Sequence, residues 1–142
     1  MPEPQEFGGQ SRLYLEDLAV GRRFTSATHA IDAAQIKAFA GQFDPQPFHL
    51  DEEKAKGTLF AGLAASGWHT AAITMRLLVE SGLPLVGGII GAGGEISWPR
   101  PTRPGDVLRV VSEIPHPARG RTAGRCACAA RPATSATRSS RC

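Results

Sequence analysis

Ser66-Gly67-Trp68-His69-Thr70-Ala71-Ala72-Ile73-Thr74-Met75-Arg76-Leu77-Leu78-Val79-Glu80-Ser81 is the stretch on which the fold turns. Trp68, Ala71, Ala72, Ile73, Met75, Leu77, Leu78 and Val79 occupy nearly the whole circumference of a helical wheel, and only Arg76 and Glu80 are charged. A helix with so small a polar face belongs inside a fold, for instance wrapped by a sheet. Gly82 and Pro84 stop it. Residues 57–75 carry no charge at all, yet Gly57, Gly62, Ser66, Gly67, His69 and three threonines make them a buried segment and a poor membrane span.

Working outward, β-formers alternate with polar residues over 23–31, which predicts a first strand. Asp32-Ala33-Ala34-Gln35 is a capping-box pattern, and Ile36, Phe39, Ala40 and Phe43 follow at helical spacing, so a short helix is expected over 33–42. Asp44-Pro45-Gln46-Pro47 breaks it, because each proline pushes the residue before it into extended geometry. Asp51-Glu52-Glu53 opens another short helix, with acids at its positive end. Beyond the buried helix, strands are expected at 88–98 and 106–114, joined by the turn-rich connector Pro99-Arg100-Pro101-Thr102-Arg103-Pro104-Gly105-Asp106.

The chain has 142 residues, enough for one domain. With 42% hydrophobic and 20% charged residues it is an ordinary globular composition, which excludes disorder throughout and a collagen-like repeat. The formal charge of +3 hides an asymmetry: residues 1–115 sum to −3, and residues 116–142 hold six arginines and no acid. The body therefore has no electrostatic reason to bind nucleic acid. All three cysteines, Cys126, Cys128 and Cys142, also lie after residue 115, which argues against a disulfide framework. The first dozen residues read as a loose arm, acidic and proline-rich at its start, unlike a signal peptide. After Pro115, Leu, Ile, Val, Met and aromatic residues vanish and no strand or helix pattern survives. The expected organisation is an arm at 1–12, a domain at 13–115 and a basic tail at 116–142, either disordered or a shifted reading frame of a GC-rich gene.

The densest candidate for chemistry is Phe43-Asp44-Pro45-Gln46-Pro47-Phe48-His49. An acid and an imidazole five residues apart, on a segment stiffened by two prolines, can hold one water between them, with apolar walls moving both pKa values towards neutrality. The same residues also read as a capping Asp and a loop His. Ser66-Gly67 is the second candidate, since the first N–H groups of a helix lack internal partners and favour negative charge. There Gly67 lets a ligand approach the backbone closely; alternatively Ser66 is an N-cap and Gly67 merely avoids a clash.

Taken together, residues 39–79 resemble the MaoC-like dehydratases, the (R)-specific enoyl-CoA hydratase branch of the hotdog superfamily. The family's signature runs Asp, Asn-Pro, His, matched by Asp44, Gln46-Pro47 and His49, followed by a Gly at the start of the central helix, matched by Gly67. The connector through Gly105-Asp106 also resembles the family's, so the likeness spans about residues 13–114. It implies an α+β hotdog fold, with a long central helix wrapped by a curved antiparallel sheet and the C-terminal strands in question. It further implies Asp44 and His49 as catalytic residues, Gly67 as oxyanion donor, and Ser66, Trp68 and Phe48 as substrate contacts. The implied reaction is reversible hydration of a trans-2-enoyl-CoA to a 3-hydroxyacyl-CoA of R configuration. No metal or cofactor is expected, coenzyme A arriving with the substrate.

A thioesterase or a non-catalytic acyl-thioester-binding subunit on the same fold is the alternative. The remaining expectations are at least a homodimer, no nucleic-acid or membrane partner, and a cytoplasmic location. Gln46 departs from the family's Asn, which leaves the placement of His49 open. His69 reads as a buried or interface histidine, and Trp98 and Phe60 as core or interface residues. Cys126-Ala127-Cys128 is too tight for a zinc site, and the glycine run at 87–94 lacks the spacing of a nucleotide-binding loop.

Overall fold

The computed structural model describes residues 12–91 and 93–115, and the backbone of 125–132. The expected arm therefore lies outside the described residues except for Arg12, as do 116–124 and 133–142 of the tail. Strand β1 (Arg23–Ala30) pairs antiparallel with β2 (Asp106–Glu113), and β2 with β3 (Arg125–Pro132), giving a sheet of order β1-β2-β3. Helices α1 (Ala33–Phe43), α2 (Pro47–Leu50), α3 (Glu52–Lys56) and α4 (Gly67–Leu77) lie between the first two strands.

The β1–β2 register runs from Arg23↔Glu113, where the two side chains form an ion pair at 2.9 Å, to Ala30↔Val107. A bulge between Thr25 and Thr28 interrupts it. There the buried Ser26 hydroxyl replaces a missing ladder partner, accepting from Val110 N at 2.8 Å. The freed Ala27 N–H is taken by Ser81 Oγ, also at 2.8 Å, from the turn that ends the helix. A bulge leaves backbone groups unpaired, and here two serines satisfy them.

Asp32 caps α1 as expected, accepting from Gln35 N at 2.8 Å. The reciprocal half of the box does not form, because the Gln35 side chain turns to His29 Nε2 at 2.9 Å. Asp44 ends α1, and Pro47 then occupies the first turn of α2, where its missing N–H costs nothing. The prolines thus break one helix and start the next. Asp51 caps α3 through bonds to Glu53 N and Lys54 N.

In α4 the buried positions are His69, Ile73 and Leu77, one stripe at a spacing of four. Ile73 and Leu77, with Leu78, join Ile31, Ile36, Leu63, Ala65, Leu108 and Val110 in the core. The other side stays open: Trp68 is 61% exposed, and Met75 and Val79 are exposed too. Among the described residues, this nearly all-round apolar helix is therefore covered on one side only. It closes in a π-helical turn (Leu78–Gly82) rather than continuing as regular helix to Ser81.

Two expectations are corrected. Among the described residues of 88–98 no strand forms. Gly87 and Gly88 take left-handed backbone angles (φ 83° and 86°), and the glycines beyond them offer no side chains to pack on a sheet face. Conversely, 125–132 is a strand although its composition gives no strand signal. It pairs with β2 from Glu113↔Arg125 to Asp106↔Pro132, and a backbone ladder needs no particular side chains.

Candidate active site

The break between α1 and α2 sets the site. Asp44 is carried at the end of α1 and His49 on the single turn of α2, five residues on in sequence, and this brings Asp44 Oδ2 to 3.3 Å from His49 Nε2. The other ring nitrogen, Nδ1, lies 2.7 Å from the Ala64 carbonyl oxygen. A carbonyl only accepts, so Nδ1 carries a proton and Nε2 is the nitrogen that faces Asp44. His49 is buried, with Phe48 edge-on at 4.6 Å and Phe60 tilted at 6.1 Å.

Asp44 is half-buried and held at both oxygens. Ser66 Oγ donates to Oδ2 at 2.6 Å and Gln46 Nε2 to Oδ1 at 2.7 Å. Burial alone would raise its pKa, but the Ser66 and Gln46 hydrogen bonds and the nearby imidazole outweigh it. The carboxyl therefore lies below its ordinary 3.8. This corrects the expected drift towards neutrality for Asp44: the walls are apolar, but two donors favour the ionised form. Asp44 is a carboxylate near neutral pH.

Ser66 joins this pair to α4. It is fully buried, its hydroxyl serves Asp44, and the same oxygen caps the helix by accepting from Trp68 N at 3.3 Å. Its side chain thus faces the carboxylate. Gly67 is the first residue of the helix, so its N–H has no acceptor within the helix. A Cβ on Gly67 would sit 2.6 Å from Trp98 Cε2, and Trp98 Nε1 donates to the Gly67 carbonyl oxygen at 3.1 Å. The glycine thus has a packing reason of its own. Trp68, mostly exposed, meets Trp98 edge-on at 5.7 Å, and Phe48 is half-buried against Phe60 at 5.1 Å.

Asp44, His49, Ser66 and Gly67 are brought together, with Phe48 beside His49 and Trp68 on the outer side of the helix start. Sequence reasoning missed the Ala64 carbonyl, which has no side-chain signal, and Trp98, which it left as a core or interface residue. It treated Gln46 as a departure that left His49 open; instead the longer side chain reaches back to Asp44. Alongside lies a groove of about 490 Å³ between α1 and α4, its walls including Phe39, Phe43, His69 and Ile73. His69 stacks on Phe39 with ring centroids 4.6 Å apart, and burial and the neighbouring His29 hold its pKa below 6.5. Among the described residues no three His, Cys, Asp or Glu side chains are grouped to hold a metal ion, and no helix is long and apolar enough to cross a membrane.

Residues 17–128 match the MaoC-like domain. The MaoC-like dehydratase from Rhodospirillum rubrum is 62% identical, with a TM-score of 0.80 over 84% of this chain and 86% of that one. The (R)-hydratase of A. caviae involved in PHA biosynthesis is 25% identical, with a TM-score of 0.67 over 81% and 87%. The uncharacterised YdeM protein of Bacillus subtilis is 37% identical over 103 residues, 70% of this chain and 72% of its own length. The helix and antiparallel sheet around Asp44 and His49 are thus those of a hotdog fold, and the chain belongs to the MaoC-like dehydratase family.

Proposed function

We propose that the chain hydrates trans-2-enoyl-CoA reversibly to the (R)-3-hydroxyacyl-CoA. The observation that carries this reading is the 3.3 Å approach of Asp44 Oδ2 and His49 Nε2 in front of the first turn of α4. A water beside the pair, hydrogen-bonded to both, gives up a proton as its oxygen bonds to the β-carbon. The electron pair of the double bond moves towards the thioester carbonyl, whose oxygen takes up negative charge. The Gly67 N–H and the positive end of α4 stabilise that oxygen. The proton then passes to the α-carbon, so one water is consumed and nothing is oxidised or reduced. Asp44, ionised and held at both oxygens, orients the water and pairs with the imidazolium, while His49 Nε2 carries the proton. Coenzyme A enters as part of the substrate, and no other cofactor has a part in these steps. The open side of α4, with Trp68, Met75 and Val79, supports a chain that works as at least a homodimer.

The test is loss of the conjugated enoyl-thioester absorbance with crotonyl-CoA and longer trans-2-enoyl-CoAs. Asp44→Asn, an isosteric change, should keep its circular dichroism and lose about 10²–10⁴ in turnover. A folded wild-type chain without turnover would reject hydration and favour a thioesterase or an acyl-thioester-binding subunit. Thiol release then separates those two.

A further inference from the structure

Apart from Gln46, the partners that hold the catalytic pair sit on one irregular stretch, residues 57–66 between α3 and α4, and on Gly67, where α4 begins. Ala64 offers its carbonyl to His49, Ser66 its hydroxyl to Asp44, and Gly67 its N–H to the site. This stretch makes few bonds with itself, and it passes through a left-handed backbone conformation at Ala61 (φ 53°), which a non-glycine residue rarely adopts. Something outside the loop must therefore fix its path.

Arg103 is placed to do so. Its Nη1 donates to the carbonyls of Gly62 at 2.9 Å and Leu63 at 3.2 Å, and Nη2 donates to that of Phe60. Its own backbone is anchored by the Asp106 carboxylate, which accepts from Arg103 N at 2.8 Å. The neighbouring Thr102 continues the grip, its carbonyl accepting from Ala65 N at 2.8 Å and its hydroxyl meeting that of Thr70. Ala64 is enclosed between these attachments, and its N–H runs back to the Phe48 carbonyl beside His49.

We propose that Arg103 is a positioning residue for His49: by clamping the carbonyls of Phe60, Gly62 and Leu63 it holds the Ala64 carbonyl that keeps the proton on Nδ1 and leaves Nε2 facing Asp44. The guanidinium spreads its donors over two nitrogens in a fixed planar fork, whereas the three donors of a lysine ammonium radiate from one nitrogen on a flexible stem. The kinetic half of the proposal rests on the hydratase reading, whereas the tautomer half does not.

The experiment compares the full-length chain with Arg103→Lys and Arg103→Gln. The imidazole nitrogens are labelled with ¹⁵N, and the His49 signals are assigned by their loss in His49→Gln. The wild type should show the proton on Nδ1 at neutral pH, and the folded variants a mixture of both tautomers. With crotonyl-CoA the variants should lose on the order of 10²-fold in kcat, the scale of a catalytic group displaced by about 1 Å, with KM little changed and the pH profile altered. Folded variants that keep the wild-type tautomer and pH profile would overturn the proposal, whatever their activity. Failure of both variants to fold would also overturn it, in favour of a purely structural arginine. If the tautomer changes but no chain turns over crotonyl-CoA, the hydratase reading fails while the positioning role stands.

Discussion

At the residue scale burial is the largest single influence on the carboxylate, but its two donors and the nearby imidazole together outweigh it. Ser66→Ala removes the 2.6 Å bond to Asp44 Oδ2 and leaves the burial in place, so the Asp44 pKa should rise. Turnover that needs the ionised carboxylate should then show an acid limb at higher pH than in the wild type. The lost cap should also cost about 1 kcal/mol of stability. An unmoved limb in the pH profile of kcat/KM would mean that this bond does not set the ionisation of Asp44. Gly67 poses a different question, since a helix-start glycine serves an oxyanion and a packing contact equally well. Gly67→Ala forces a Cβ into the Trp98 ring, an overpacking that costs about 1–3 kcal/mol. Trp98→Leu opens that space, so the double variant should recover most of the melting temperature that Gly67→Ala loses. Simple additivity of the two losses would show that the contact is not why glycine is needed.

At the scale of elements, the stacking of His69 in α4 on Phe39 in α1 makes the helix pair sensitive to acid. Burial first, and the adjacent His29 second, hold the His69 pKa below 6.5 in the folded chain. The unfolded chain therefore binds more protons as pH falls through 6.5, and stability drops over that interval until it levels off below the folded pKa. His69→Phe keeps a ring against Phe39 without the charge, and its melting temperature should fall less between pH 8 and pH 5. Equal falls in the two chains would remove His69 as the cause. Elements of this kind were largely legible in the sequence, because capping residues and apolar spacing are local signals. Asp32, the helix from Ala33, and the strands around Phe24 and Val110 all follow from such patterns. The bulge at Ser26 and the π-helical turn at Leu78 were not, since both arise where the strand meets the helix end and no local pattern encodes that meeting. The candidate site divides the same way. Asp44 and His49 announce themselves by residue type, whereas the Ala64 carbonyl and the Trp98 ring owe their roles to a loop path that only the folded chain defines.

For the whole molecule the question is what the basic C-terminal stretch contributes, given that its composition carries no fold signal. Its backbone from Arg125 to Pro132 lies along the full length of β2, the strand whose Leu108 and Val110 are the innermost of the sheet. Without it, β2 would be an edge strand with a row of unpaired N–H and C=O groups, and the sheet would be a two-stranded ribbon, marginal in water unless packed on helices. Removing residues 116–142 also turns a net charge of +3 into −3. A merely solvated tail would therefore alter electrophoretic behaviour and leave stability alone, whereas a paired strand would alter both. The chain ending at residue 115 should melt several degrees lower than the full chain, and should scatter light increasingly at concentrations where the full chain stays clear. The comparison is best made at raised salt, where the charge difference is screened to within about 3 Å at 1 M and only the lost pairing remains. Equal melting temperatures there would show that α4 and the β1–β2 ribbon hold the site without the third strand. A persistent drop would make the backbone ladder of β3 part of what keeps β2 against α4, and so part of what holds the helix start in front of Asp44 and His49.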